Sequence, residues 1–83
     1  MYAVEVKKKA MKAILALSTR DQQKILLAFD VLRENPMAGK MLEGEYKGLR
    51  SLRVWPYRIL YAVDHGTVTV TVVKVAHRKD VYR

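Results

Sequence analysis

Residues Tyr57–Ala76 constrain the fold more than any other stretch of the chain. Tyr57–Val63 is apolar on nearly every position, the pattern of a strand covered on both faces and therefore central in its sheet. Asp64-His65-Gly66 follows as a turn, with Gly66 expected to supply the positive φ of a tight hairpin. Thr67–Ala76 is the return strand. Its valines fall at 68, 70 and 72 and then shift phase to 73 and 75, which requires either burial on both faces or a bulge. Pairing through a short turn sets Arg58 opposite roughly position 72 and residues 74–78 opposite 53–57.

Other elements must dock on this hairpin. Leu49–Val54 is a third strand signal, and Tyr2–Val6 a short alternating one. From Lys7 the period changes: Val6, Ala10, Ala13, Ile14 and Leu17 fall at helical spacing, with Lys7, Lys8, Lys9 and Lys12 mostly elsewhere on the cylinder. Thr19 and Gln22 then stand at capping-box spacing and open a second helix through Ile25, Ala28, Phe29 and Leu32. It stops at Asn35-Pro36, because proline disfavours helix in the residue before it. Leu26, Leu27 and Val31 widen its apolar stripe beyond one face, so the helix pair has either a thicker core or a partner to meet. Met37–Tyr46 reads as a loop. The order is β-α-α-β-β-β: an α+β fold, one domain over residues 1–83, with a helical hairpin on one face of an antiparallel sheet.

Composition narrows the function. There are no cysteines and only two histidines, so no thiolate site is available and a zinc site lacks ligands; no metal and no cofactor are expected. No apolar run approaches the ~18 residues that span a bilayer, and no signal-peptide core opens the chain, so a cytoplasmic protein without membrane association is expected. The net charge is +8. Residues 1–45 hold eight Lys/Arg against six Asp/Glu, whereas residues 46–83 hold eight against two, five of the eight being Arg. Arginine offers a planar fork matched to phosphate oxygens, which points to a polyanion or an acidic protein partner.

Strand geometry concentrates that charge. Arg58, Arg78 and the 50–53 segment converge at one end of the sheet, and Tyr82 is tethered four residues beyond Arg78, able to fold back over it. The result is a phosphate-sized electropositive nook. Arg50 and Arg53 have opposite parity, so an unbulged strand cannot aim both into it.

The run YKGLRSLRVWPYRILYAVD, Tyr46–Asp64, followed by VAHRKDVYR, Val75–Arg83, resembles the RelE toxins of the RelE/ParE superfamily. The resemblance extends through Glu34-Asn35-Pro36 and the Gly39, Lys40, Leu42, Gly44 pattern to essentially the whole chain. It implies a type II toxin that enters the A site of the 70S ribosome and cleaves the mRNA there. It also implies a RelB-like antitoxin as partner. Arg58 matches the family arginine assigned to the scissile phosphate, Arg78 a second arginine at the end of the last strand, and Tyr82 the C-terminal tyrosine. Arg53 matches a further basic position. Relatives carry two lysines on the first strand of this trio; an ungapped alignment sets Leu49 and Ser51 there, leaving Lys47 or Arg50 to substitute and the base unassigned.

Metal-free RNA cleavage uses the ribose 2′-OH as nucleophile, with a base, an acid and cations on the phosphorane. On titration alone His77 is the better proton carrier, near ~6.5 against ~10 for a tyrosine, while neighbouring cations favour a phenolate. The family correspondence assigns the role to the tyrosine, so Tyr82 is named first and His77, on titration alone, second. Arg58, Arg78, Tyr82 and His77 are thus the expected catalytic set, and Lys47, Arg50, Arg53, Trp55 and Lys79 the expected RNA-binding set, with Trp55 a candidate base-stacking platform. Two other readings stand: a ParE-like inhibitor of DNA gyrase on the same fold, and a nonenzymatic nucleic-acid-binding module.

Overall fold

A computed structural model describes residues 1–83. Five strands form one sheet: β1 Ala3–Val6, β2 Lys40–Met41, β3 Arg50–Val54, β4 Tyr57–Asp64 and β5 Thr69–His77, in the spatial order β1-β5-β4-β3-β2. Helices α1 Lys8–Leu15 and α2 Thr19–Glu34 lie between β1 and β2 in sequence. The sheet is mixed rather than antiparallel, because β1 runs parallel to β5, Val4 beside Val70. A parallel pair needs a crossover, and the helical hairpin with the strands after it supplies one. The two-residue β2, within the stretch expected to be loop, pairs Lys40 with Ser51 and Met41 with Arg50.

The helices cover one face. Ala10 and Ile14 of α1 and Ile25, Ala28, Phe29 and Leu32 of α2 close over Ile59, Tyr61, Val70, Val72 and Val75 in a single core. Burying side chains of this size contributes about 1.5–3 kcal/mol each. Ser18, not Thr19, caps α2, its hydroxyl accepting from the Asp21 N–H at 3.2 Å. Gln22 turns backwards instead of closing a capping box, and its amide donates to the Leu17 carbonyl at 3.0 Å and, at 3.4 Å, to that of Leu15, the last residue of α1. Leu26, Leu27 and Val31 stay exposed on the far side of α2. No helix is long and apolar enough to cross a membrane.

The central hairpin differs in detail from the short-turn expectation. Asp64 pairs with Thr69, so four residues form the loop. The Asp64 carboxylate accepts from the N–H groups of Gly66 (2.9 Å) and Thr67 (3.2 Å), and these bonds hold its pKa below the ordinary carboxylate value. Val68, at φ 54°, takes the left-handed position expected of Gly66. Between Leu60↔Lys74 and Tyr61↔Val72 the register slips by one residue at Val73, which resolves the valine phase shift as a bulge. The longer loop and the bulge together move Arg58 opposite Ala76 and Tyr57 opposite His77, about four residues beyond the simple-hairpin register.

Beneath β4, a buried tyrosine ties the loop before β2 to the core. The Tyr61 hydroxyl donates to the Pro36 carbonyl at 2.8 Å and accepts from the Gly39 N–H at 2.7 Å. Any side chain at Gly39 would meet that hydroxyl at 2.5 Å.

Candidate functional site

Alternation along the strands sends Ser51 and Arg53 of β3 and Arg58, Leu60 and Ala62 of β4 to the face away from the helices. Arg53 and Arg58 are directly opposite across the β3–β4 pair. Like charges so placed cost stability, and no carboxylate relieves them. The molecule's three ion pairs, Lys24–Asp21, Arg33–Asp30 and Arg83–Asp80, all lie elsewhere. Arg78 arrives from the chain after β5, held by its N–H to the Pro56 carbonyl at 2.8 Å. Its guanidinium lies 4.6 Å from the centre of the Trp55 ring, a cation–π contact. Arg53, Trp55, Tyr57, Arg58 and Arg78 line one hollow of about 150 Å³. Three guanidinium groups without counter-charge make it a site for an anion.

Tyr82 stands beside the hollow through a residue that sequence reasoning did not select. Ser51 is 3% exposed, and its hydroxyl accepts from Arg58 at 3.2 Å. The Tyr82 hydroxyl reaches the same Ser51 oxygen at 3.5 Å, longer than a firm O–H···O bond. One small buried hydroxyl thus stands between the arginine and the tyrosine. Strand parity holds the signal: Ser51 shares its face with Arg53 and pairs with Leu60.

The tail returns across the open face. Val81 and Leu60 are both fully buried yet lie outside the helix-side core, so the tail supplies the cover on this side. Lys74 donates to the Arg83 main-chain oxygen at 2.8 Å, and Tyr46 to the Tyr82 carbonyl at 3.0 Å. Neither Lys74 nor Tyr46 was among the expected site residues, and nothing in a loop sequence marks a contact 36 residues away.

Two expected residues face elsewhere. His77 pairs with Tyr57 and packs edge-on against it at 6.1 Å, on the helix side of the sheet; it follows Ala76, the residue opposite Arg58, so alternation along β5 sends it to the other face. Tyr57 is itself committed there, its hydroxyl donating to Asp21 at 2.7 Å, a bond that with burial and the Asp21 charge raises its pKa. Arg50, next to Ser51, points to the opposite face and donates to the carbonyl of Gly39 at 2.8 Å, and at 3.5 Å to that of Met37. It braces the loop before β2 instead of joining Arg53. Lys47 and Lys79 are exposed, on the connection between β2 and β3 and on the tail, outside the hollow's lining.

Two helices on one face of a five-stranded mixed sheet make the RelE-like toxin fold. The sequence matches the profile of the ParE toxin of the type II toxin–antitoxin system, parDE, over residues 4–82, and the chain belongs to that family within the RelE/ParE superfamily. Toxin RelE of Mycobacterium tuberculosis is 35% identical over 81 residues, 86% of this chain and 84% of that toxin. Toxin RelG of the same organism is 43% identical over 54 residues, 65% of this chain and 62% of that toxin's length. Among solved structures, the toxin–antitoxin complex RelBE2 from M. tuberculosis superposes with a TM-score of 0.86 at 33% identity, covering 93% of this chain and 98% of that one. The archaeal RelE–RelB complex from Pyrococcus horikoshii OT3 gives 0.82 at 25% identity, covering 95% and 97%.

Proposed function

We propose that this toxin is a ribosome-dependent endoribonuclease that cuts mRNA in the A site and is neutralised by a RelB-like antitoxin. The single observation that carries this reading is the hollow: Arg53, Arg58 and Arg78 share it without a carboxylate, and the Tyr82 hydroxyl meets Arg58 at Ser51. A phosphodiester seated among the three guanidinium groups has its charge balanced before reaction. The ribose 2′-oxygen attacks phosphorus, the bond from phosphorus to the 5′-oxygen breaks, and the products are a 2′,3′-cyclic phosphate and a 5′-hydroxyl. The 2′-OH proton passes to a base, and a proton is delivered to the departing 5′-oxygen. Arginines fixed in advance on the phosphorane oxygens contribute about 2.7–4 kcal/mol per donor, and proton transfer a further ~10²–10⁴-fold. What supports Tyr82 as a proton carrier is its hydroxyl at the rim of the arginine cluster; His77, packed on Tyr57 across the sheet, has no such support. Trp55, 58% exposed beside Arg78, suits stacking on a base of the single strand.

The antitoxin reading rests on the apolar side chains that the helices leave exposed, Leu26, Leu27 and Val31 of α2 and Leu15 of α1. Relatives of this fold occur in RelB–RelE complexes. A second reading, inhibition of DNA gyrase, is favoured by the matching ParE profile and by Leu49 and Ser51 where RelE relatives carry lysines. Primer extension on mRNA from cells expressing wild type, Tyr82→Phe and His77→Ala separates them. Codon-registered cuts that vanish with Tyr82→Phe and persist with His77→Ala support the proposal. Intact mRNA with gyrase-linked DNA breaks supports the second reading, and neither signal leaves a nonenzymatic binder.

A further inference from the structure

We infer that Tyr46 is a positioning residue for the reaction: it sets the place of Tyr82 without touching substrate. The inference rests on the nuclease reading above. The chain after β5 belongs to no ladder; beyond the Arg78 N–H, which the Pro56 carbonyl holds, its backbone bonds are local, Asp80 N–H to the His77 carbonyl at 2.8 Å and Arg83 N–H to that of Asp80 at 3.1 Å. Burial of Val81 anchors the tail to the sheet but leaves the next residue free to turn. Tyr82 is 46% exposed, and its hydroxyl contact to Ser51 is long at 3.5 Å. The groups that grip the tail's main chain at Tyr82 and Arg83 are Tyr46 and Lys74. Tyr46 grips twice, its hydroxyl donating to the Tyr82 carbonyl at 3.0 Å and its ring meeting the Tyr82 ring edge-on at 5.4 Å.

Tyr46 is itself held for this purpose. It ends the one-turn helix Gly44–Tyr46, between Gly44 at φ +67° and Gly48 at φ +96°, both left-handed positions suited to glycine. The Tyr46 carbonyl accepts from the Leu49 N–H at 3.0 Å, and the Leu42 N–H donates to the Leu49 carbonyl at 3.0 Å, closing the loop onto the start of β3. Tyr46 and Tyr82 both lie outside the helix-side core, so their contact adds little to the packing that holds the fold. Its consequence is local: the hydrogen bond pins the Tyr82 main chain, and the ring contact restricts the swing of its side chain. Because a misplaced proton carrier loses rate steeply with distance, the contact bears on turnover and not on binding.

A double-mutant cycle on programmed ribosomes tests this, with single-turnover cleavage measured at saturating and subsaturating ribosome. Tyr46→Phe removes the hydroxyl and keeps the ring; it is expected to lower the saturating rate on the order of tenfold with half-saturation unchanged. In a Tyr82→Phe background the same change is expected to add almost nothing, since both act through one group. Amide exchange at residues 81–83 is expected to quicken in Tyr46→Phe, a readout that needs no nuclease activity. Full multiplication of the two losses, a change confined to half-saturation, or a wild-type rate with wild-type exchange overturns the inference. If Tyr82→Phe itself cuts at the wild-type rate, the chemistry assigned to Tyr82 falls, and Tyr46 loses its catalytic role even where exchange quickens.

Discussion

Replacing Tyr61 with Phe removes one oxygen from the interior and leaves two buried main-chain groups, the Gly39 N–H and the Pro36 carbonyl, without partners. A buried polar group stripped of its bond costs about 1–3 kcal/mol. Some relaxation is available in the loop, so we take about 2–4 kcal/mol for the pair. With an unfolding entropy of about 0.17 kcal/mol/K for a chain of 83 residues, Tm falls by about 12–24 °C. Far-UV circular dichroism on heating at pH 7 measures it. The pH dependence has a definite sign. Burial raises the Tyr61 hydroxyl above its ordinary value, against smaller pulls from the Gly39 N–H and Arg50. A raised folded-state pKa contributes stability below the unfolded value of ~10 and loses it as pH rises through the folded one. The gap between wild type and Tyr61→Phe therefore narrows above pH ~10. Gly39→Ala supplies the cross-check. Its methyl meets the Tyr61 hydroxyl at 2.5 Å, but also ring carbon Cε1 at 2.8 Å and the Ser51 backbone at 3.0 Å, so Tyr61→Phe relieves only part of the strain. A loss under about 5 °C for Tyr61→Phe, or a gap constant up to pH 11, would refute the two-ended bridge.

Asp64→Asn weakens the hairpin loop, because a neutral amide oxygen accepts less strongly from the Gly66 and Thr67 N–H groups. The Asp64 pKa is depressed, so the stability difference from wild type is present at neutral pH and disappears as pH falls through the folded value, below the usual carboxylate range; thermal unfolding from pH 7 to pH 2.5 follows it. Leu27→Lys changes a side chain that is 66% exposed, so stability stays within about 0.5 kcal/mol, while affinity for the antitoxin falls at least tenfold by titration calorimetry. Ser51→Ala removes the acceptor shared by Arg58 and Tyr82; the single-turnover cleavage rate drops about 2- to 12-fold, for a net hydrogen bond of ordinary strength.

Much of the fold is legible in local chemistry. Tyr57–Val63 is apolar on both faces because the helices cover one side and the tail carrying Val81 covers the other. The two helices follow from periodicity and from Asn35-Pro36. The mixed sheet is not legible, because four alternating residues at Ala3–Val6 carry no information about which neighbour they join or in which direction. The hairpin register failed for a specific reason: the Asp64 side chain builds a longer loop, and Val68 accepts a left-handed backbone that favours glycine. A displacement of four residues is even, so it changes partners without changing faces, and Arg78 keeps its region because the end of β5 meets the start of β4 in either register; His77 faces away from Arg58 by alternation alone. Parity alone separated Arg50 from Arg53, and the loop carbonyls Arg50 braces could be known only from the folded chain. Ser51 carries no charge, and its letter alone does not mark it among the basic residues around it. A buried hydroxyl between two functional groups has no compositional signature.

In the proposed reaction Arg58 and Arg78 act together on one phosphate. Its most direct test is the single-turnover rate of mRNA cleavage on programmed ribosomes by wild type, Arg58→Ala and Arg78→Ala, with the cut ends analysed. The predicted result is a loss of about 10²–10³-fold for Arg58→Ala, a substantial loss for Arg78→Ala, and 2′,3′-cyclic phosphate ends from the wild type. Wild-type rates from both folded variants, or ends bearing a 5′-phosphate, would contradict it.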